Sequence, residues 1–366
     1  MSESPAPKPA APTFESGARA MNEALQTKGV EAYFADASDP LHKAFIAKAA
    51  VHSGPGGRPL IGEEAEKAID SHYDTPRSGR SLAYIHVPFC ETRCLYCMFY
   101  QNPWKEEATT EYAKQLVKEL ELWSDRAAQN AAPINALYFG GGTPTAFSPD
   151  DIRLVMGAVK KYLPLANDCE ITLEGRIHNF SDAKMDAAIE SGVNRFSLGV
   201  QTFNTQIRQS VMRVDDRDTI IRRLDKLCSY NNASVVCDMI YGFPGQTMEV
   251  WEDDLKTAAS LHLDGVDCYQ LNVFEKSPLA RYIANGKLPR AATSDEKADF
   301  FAKSVEYFTS QNWRRLSNNH WGRTIRERNI YNAWGKSACD CLAFGCGAGG
   351  RLAGYSYMME RKLADY

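Results

Sequence analysis

The chain of 366 residues has no apolar run of the roughly 18 residues a membrane helix needs, so no transmembrane span is expected. Its first residues lack the charged-then-apolar pattern of a secretory signal. Net charge is nearly absent. The 42 Lys and Arg against 46 Asp and Glu leave −4, too little for a bulk field that draws the chain to nucleic acid or a membrane surface. A disulfide framework is also lacking. Ten cysteines in a chain this long, with no signal peptide, read as reduced thiols and metal ligands. These absences predict a cytoplasmic protein with neither nucleic acid nor membrane as a partner. What is present is an ordinary globular composition, 44% hydrophobic and 24% charged, long enough for one large domain or two of common size.

The stretch richest in chemistry is Cys90-Glu91-Thr92-Arg93-Cys94-Leu95-Tyr96-Cys97, directly after the apolar run Leu82 to Phe89. Three thiolates at C-x3-C-x2-C spacing cannot pair among themselves without leaving one over. They suit one metal centre with three protein ligands and a fourth position open. Zinc normally takes four protein ligands in such sites. No second C-x2-C pair lies nearby, though the distant Cys228, Cys237 or Cys268 could contribute. Plain structural thiols explain the spacing poorly. A 4Fe–4S cluster with one iron left unligated fits best, because thiolates are the normal ligands of such clusters.

Around this stretch the chain changes rhythm. Residues 1–17 are rich in Ala, Pro and Ser and are predicted to be disordered. Residues 18–79 are weakly helical, broken at Gly54-Pro55-Gly56-Gly57, and read as a small N-terminal extension. From Leu82 onward, strand-length apolar runs alternate with helical patterns. The predicted strands are 82–88, 134–140, 170–174, 195–201, 234–241 and 266–273, and the predicted helices between them are 107–126, 149–162, 181–191, 217–230 and 247–262. Repeated β-α units predict parallel strands, in an open sheet or a partial barrel over 80–276. Side chains alternate between strand faces. Phe196, Leu198 and Val200 oppose Arg195, Ser197 and Gln201; Ile171 and Leu173 oppose Thr172 and Glu174; Ile85 and Val87 oppose Tyr84 and His86. On the sixth strand Gln270 and Asn272 share a face. One polar face per strand predicts a lumen wide enough for sizeable polar ligands, with binding at the strands' carboxyl ends. Residues 277–366 read as a C-terminal α+β subdomain covering substrate and cofactor. It carries the Gly-rich run Gly345-Cys346-Gly347-Ala348-Gly349-Gly350.

C-x3-C-x2-C with Tyr96 before its last cysteine resembles the signature of radical S-adenosylmethionine (SAM) enzymes. The resemblance extends through Tyr84-Ile85-His86-Val87-Pro88-Phe89-Cys90, Tyr138-Phe139-Gly140-Gly141-Gly142-Thr143-Pro144-Thr145, the run 192–201 and the run 238–247. These four motifs in register are similar to the oxygen-independent coproporphyrinogen III oxidase-like group. The resemblance implies a partial (β/α)6 TIM-like barrel, one 4Fe–4S cluster on Cys90, Cys94 and Cys97, and SAM chelated by the unligated iron. By position it further implies Tyr84, Gly141, Glu174 and Gly349 as contacts of the first SAM. Tyr96, Gly142, Thr143, Gln201, Arg213, Asp238 and Asn272 match contacts of a second.

The oxidases of that group carry a fourth cysteine where this chain has Phe99. Cys97-Met98-Phe99-Tyr100-Gln101-Asn102, Arg176-Ile177-His178-Asn179-Phe180, Leu316-Ser317-Asn318-Asn319-His320-Trp321 and Arg326-Glu327-Arg328-Asn329 instead resemble its anaerobic haem-utilisation branch. That implies a radical SAM C-methyltransferase using two SAM molecules. A methylene radical made from the second SAM adds to a haem meso carbon, the macrocycle opens without oxygen, and a methylated linear tetrapyrrole (anaerobilin) and iron are released. The implied partners are haem as substrate, a flavodoxin-type electron donor and a haem or anaerobilin carrier. A haem-trafficking chaperone of the same group and a coproporphyrinogen III dehydrogenase are the alternatives. Met98 departs from the glycine expected beside the cluster, and such proteins run further at the C-terminus. No side chain is assigned as catalytic with certainty. His178 and His320 are the candidate haem ligands, and Arg176 a candidate partner for a haem propionate.

Overall fold

The computed structural model describes residues 39–43, 58–337 and 339–366. The tail predicted over 1–17 and most of the extension predicted over 18–79 lie outside the described residues. The chain divides into two units, Met1–Gly54 and Pro55–Tyr366. The described part of the first is one helical turn, Pro40–Lys43. The second carries the sheet and every candidate residue.

The second unit begins with helix α1 (Gly62–Tyr73), inside the predicted extension. Its last residue, Tyr73, is buried with its ring 4.4 Å from that of Trp123, and Asp70 and Asp74 pair with Arg126 at 2.8 and 2.7 Å. Strands β1 (Ser81–Val87), β4 (Ile134–Gly141), β5 (Leu165–Gly175), β6 (Arg195–Gln201), β7 (Ser234–Tyr241) and β8 (Gly265–Gln270) then pair in parallel in that order. The helices between them start where a short polar side chain caps the first turn. Ser148, Ser181, Asp216 and Thr247 each accept a bond from the backbone N–H three residues on. Ser148, Ser181 and Thr247 lie close behind a strand's carboxyl end, whereas Asp216 follows β6 only after a short helix, Thr205–Ser210, capped by Asn204.

The sheet is curled. Tyr138 on β4 and Tyr269 on β8 lie four strands apart, roughly 19 Å in a flat sheet, yet Tyr269 lies close enough to raise the pKa of Tyr138. Phe196, Leu198 and Val200 point outward into the helix-covered core and are fully buried. The inner face is polar, as the alternation predicts. Tyr84, Tyr138, Thr172, Arg195 and Ser234 stand in register across five strands. On β8 the inner residues are Asp267 and Tyr269, register partners of Asp238 and Ile240. Gln270 therefore falls on the other face of that strand, and Asn272 lies beyond its end.

The C-terminal third is not set apart from the barrel. Its strands extend the same sheet at both edges. β11 (Asp340–Phe344) pairs parallel with β1, followed by β12 (Gly349–Leu352) and β13 (Tyr355–Met358). On the opposite edge β10 (His320–Gly322) pairs antiparallel with β8, and β9 (Arg314–Arg315) with β10. A six-stranded partial barrel leaves two unpaired edges, and these additions satisfy their backbone groups. Residues 323–334 then cross the amino-terminal end of the lumen as a floor. Along them Arg326 pairs with Asp264, Glu327 with Arg195, and the Ile330 N–H donates to Glu170.

Candidate active site

The cluster loop leaves β1 through β2 (Phe89–Cys90), which pairs in parallel with β3 (Asn102–Pro103). That pairing closes the loop into a compact ring. The Leu95 N–H donates to the Val211 carbonyl at 3.3 Å, the Leu279 N–H to the Leu95 carbonyl at 3.0 Å, and Arg176 Nη1 to Thr92 O and Oγ1 at 3.0 and 2.9 Å. Arg176, a propionate candidate from the sequence, thus clamps the loop. Cys90 and Cys94 are buried and Cys97 is partly exposed. The Thr143 hydroxyl donates to Cys90 Sγ and the Phe99 N–H to Cys97 Sγ, each at 3.3 Å.

Burial pushes the Cys90 thiol up, against the opposing charge of Arg176. At Cys94 burial acts in the same direction but is overcome by Arg213 and Arg176, so this thiol lies below its ordinary range. Cationic residues therefore converge on a buried thiol, as an anionic sulfur centre requires. Among the described residues no three His, Cys, Asp or Glu side chains gather closely enough to hold a single metal ion. Met98, where a glycine was expected, is half exposed.

Above the loop, the triple glycine is where lumen side chains close in. A Cβ on Gly140 would lie 2.8 Å from Glu174 Oε2, 3.0 Å from Tyr84 and 3.1 Å from Tyr138. Gly141 stands against the His86 ring, and a Cβ on Gly142 would lie 2.6 Å from the Phe89 carbonyl. Glycine is required here first by the chain's own packing. Burial, then the charge of Asp238, pushes the Glu174 carboxyl up to about 8. Asp238, held by Ser197 Oγ at 3.2 Å, is also raised, by burial and by Asp267.

A second convergence lies over Gly199, where a Cβ would meet Gln201 Nε2 at 2.7 Å and Arg213 Nη2 at 3.1 Å. Gly199 is the register partner of Asp238. Gln201 has φ +74° and its buried Oε1 has no hydrogen-bond partner. A non-glycine residue in this region with an orphaned polar atom marks strain at a functional position. Arg213 Nε donates to the Tyr96 hydroxyl at 3.1 Å, tying this group to the cluster loop.

Tyr84, Tyr96, Gly141, Gly142, Thr143, Glu174, Gln201, Arg213 and Asp238 therefore meet at one end of the lumen. Asn272 lies in the loop after β8, its Nδ2 3.5 Å from the Gln270 carbonyl. Gly349 does not join them. It is exposed on β12, two strands from β1, where a Cβ would meet only Tyr357 O at 4.0 Å. The close glycine of that run is Gly345, whose Cβ position is 2.7 Å from the His86 carbonyl.

Both histidine candidates face carboxylates. His178 faces Asp215 at 3.1 Å and Glu91 at 3.5 Å. His320 is fully buried between Asp267 at 2.6 Å and Glu327 at 3.1 Å. Burial alone would lower its pKa, but the two carboxylates push it to about 9, so it is a cation of the floor. His86 is the residue the sequence reading passed over. Its Nδ1 meets the Tyr84 hydroxyl at 3.0 Å, its buried Nε2 has no partner, and burial lowers its pKa to about 4. The signal was present, since alternation sets His86 on the same face as Tyr84.

A curled α/β sheet with a three-thiolate loop after its first strand defines an iron–sulfur protein that binds a ligand at the strands' carboxyl ends. Residues 84–258 match the Radical SAM superfamily. Over 312 residues the chain is 43% identical to an anaerobilin synthase of Escherichia coli O157:H7, covering 85% of this chain and 70% of that protein. It is 26% identical to the heme chaperone HemW of Lactococcus lactis, over 75% of this chain and 70% of that one. In structure it is similar to the coproporphyrinogen III oxidase HemN of Escherichia coli, with a TM-score of 0.71, 23% identity, and coverage of 84% of this chain and 72% of the other. The chain belongs to the radical SAM superfamily, within its oxygen-independent coproporphyrinogen III oxidase-like group and on the anaerobic haem-utilisation branch. It is a radical SAM enzyme, with a 4Fe–4S cluster and SAM as its cofactors. No helix among the described residues is long and apolar enough to cross a membrane.

Proposed function

We propose that this enzyme opens the haem macrocycle without oxygen, spending two SAM molecules to give a methylated linear tetrapyrrole and free iron. The observation that carries this reading is the 43% identity to an anaerobilin synthase across 85% of the chain. Phe99 supports it, because the fourth cysteine of the oxidase pattern is missing. Cys90, Cys94 and Cys97 hold the cluster. Bound there, a 4Fe–4S cluster would supply the electron for the reductive cleavage of SAM.

The remaining work falls to the chain's own side chains. Glu174, raised to about 8 and with no basic side chain in salt-bridge contact among the described residues, is suited to accept an ammonium group and ionise on binding it. Tyr84 and Gly141 line the same wall. Gln201 Oε1 supplies a vacant acceptor, and Arg213, Asp238, Tyr96 and Asn272 stand ready for the second SAM. Gly142 and Thr143 belong to the same site, the Thr143 hydroxyl being spent on Cys90. Holding three large ligands in one orientation is the protein's main contribution to rate. A confined lumen keeps water from reactive intermediates. A flavodoxin-type protein delivers electrons, a carrier takes haem or product, and the reaction belongs in the cytoplasm.

The test is anaerobic incubation with haem, SAM and reduced flavodoxin. Loss of the Soret band with release of 5′-deoxyadenosine is expected. The likeness to HemW favours a second reading, in which haem is held and passed on intact. Tight binding with an unchanged Soret band would select it. Decarboxylation of coproporphyrinogen with haem untouched would select the dehydrogenase instead.

A further inference from the structure

The rim around the cluster loop carries exposed apolar side chains among its polar ones. Met98 and Phe99 follow Cys97 and are 51% and 60% exposed. Met212 and Val214 flank Arg213 at 43% and 54%. Tyr269 and Val273, at the end of β8, are 43% and 38% exposed. Exposed large apolar residues elsewhere, such as Leu122 and Leu154, lie on helices outside this rim, as scattered surface residues commonly do. The cluster loop and the loop carrying Met212 and Val214 are held together by two bonds. Leu95 N–H bonds Val211 O, and Arg213 bonds the Tyr96 hydroxyl. Beneath lies a separate small core of Leu95, Ile207, Val211, Phe243, Leu271 and Leu279.

Met212 has φ +66°, a conformation that costs an ordinary residue about 1–2 kcal/mol. The chain thus tolerates strain where it carries a thioether outward beside Arg213. Cys97, the one partly exposed thiol of the three, opens onto this rim. The exposed Arg93 guanidinium, on the same loop, sits 5.3 Å over the Tyr100 ring.

We propose that Met98, Phe99, Met212 and Val214 form the seat for one face of a metallated tetrapyrrole, with Arg93 at its edge for a carboxylate side chain. This rests on the haem reading above and adds to it the residues that grip the macrocycle. The occupant follows from three features together. The surface is apolar and continuous with the cluster loop. It carries thioethers and an aromatic ring suited to a π-face. A cation at its margin suits the carboxylate edge of such a molecule.

Zinc protoporphyrin IX, fluorescent and inert to reduction, is the probe. It is titrated anaerobically into cluster-loaded protein without SAM. The variant Met98→Ser/Phe99→Ser/Met212→Ser is expected to bind at least about tenfold more weakly than the parent, from lost apolar contact. Leu122→Ser/Leu154→Ser is expected to bind as the parent does. Retained cluster absorption reports that the variant is folded. Independently, Phe99→Trp should give an indole emission quenched in step with porphyrin binding. Parent-like affinity in the triple variant, or an unquenched Trp at 99 in a protein that binds the probe, overturns the seat and leaves the haem reading standing. A parent that binds no metalloporphyrin overturns both.

Discussion

The floor of the lumen, where Arg195, Glu327, His320 and Asp267 interlock, differs from its mouth, where Glu174, Asp238 and His86 sit without opposite charges in contact. At the floor, burial alone would raise Glu327, yet Arg195 and His320 hold it down to about 2, and His320 is pushed up to about 9. Each group is locked in its charged form. At the mouth, burial dominates. Glu174 goes up to about 8 and His86 down to about 4, each driven towards neutrality. One sheet, with polar residues on one inner face, thus makes two opposite environments. The difference is whether the chain supplies the counter-charge or leaves that to a ligand. A network that neutralises itself holds a fold; a set of groups left short of partners is poised to bind.

The largest expected effect is at the thiolates. Replacing Cys90, Cys94 or Cys97 by Ala should abolish the brown cluster absorption and all SAM cleavage while the circular dichroism stays native. A variant that kept the absorption would remove that cysteine from the ligand set. Next comes a paired contrast. Glu327→Ala strips the counter-charge from Arg195 and His320 and should cost roughly 3–5 kcal/mol in urea unfolding. Glu174→Gln should leave the stability of the cofactor-free protein unchanged or higher, yet weaken SAM binding by about tenfold or more, the worth of one charge-assisted hydrogen bond. If the two variants exchanged roles, the division between floor and mouth would fail.

A pH series sharpens the same contrast. Between the ordinary carboxylate range and about 8, folded Glu174 keeps a proton that the unfolded chain has released. Stability of the cofactor-free protein should therefore fall as pH rises through that window, and Glu174→Gln should flatten the slope. The contribution of His320, full below the ordinary imidazole range, should be lost as pH rises through about 9 in both proteins. The smallest effect is expected for Gln201→Gly, which relieves the left-handed backbone by about 1 kcal/mol while weakening SAM binding. A calorimetric melt and a titration separate the two consequences.

Much of the mouth was legible in the sequence because strand alternation and loop position are local. Strands 195–201 and 234–241 and helix 149–162 fall where apolar periodicity and capping residues set them. The floor was not legible. Arg195 meets Glu327 across 132 residues, and no periodicity announces a charge pair that only folding brings together. For the same reason His320 read as a candidate ligand until its two carboxylates came into view. The sixth strand was predicted to reach Val273 but ends at Gln270, because Asn272 and Val273 belong to the mouth loop. β11 was missed as a neighbour of β1, since parallel pairing between residues so distant leaves no mark in either segment. Gly349 was chosen from a glycine-rich run in which spacing alone cannot say which glycine is close, and Gly345 is the one that packs on His86.

The most direct test uses SAM labelled with deuterium in its methyl group, with haem and reduced flavodoxin under strict anaerobiosis, followed by mass spectrometry of the tetrapyrrole. Transfer of the label into a ring-opened, iron-free product is the predicted result. Recovery of unlabelled, intact haem from a protein that carries its cluster and cleaves SAM would contradict it.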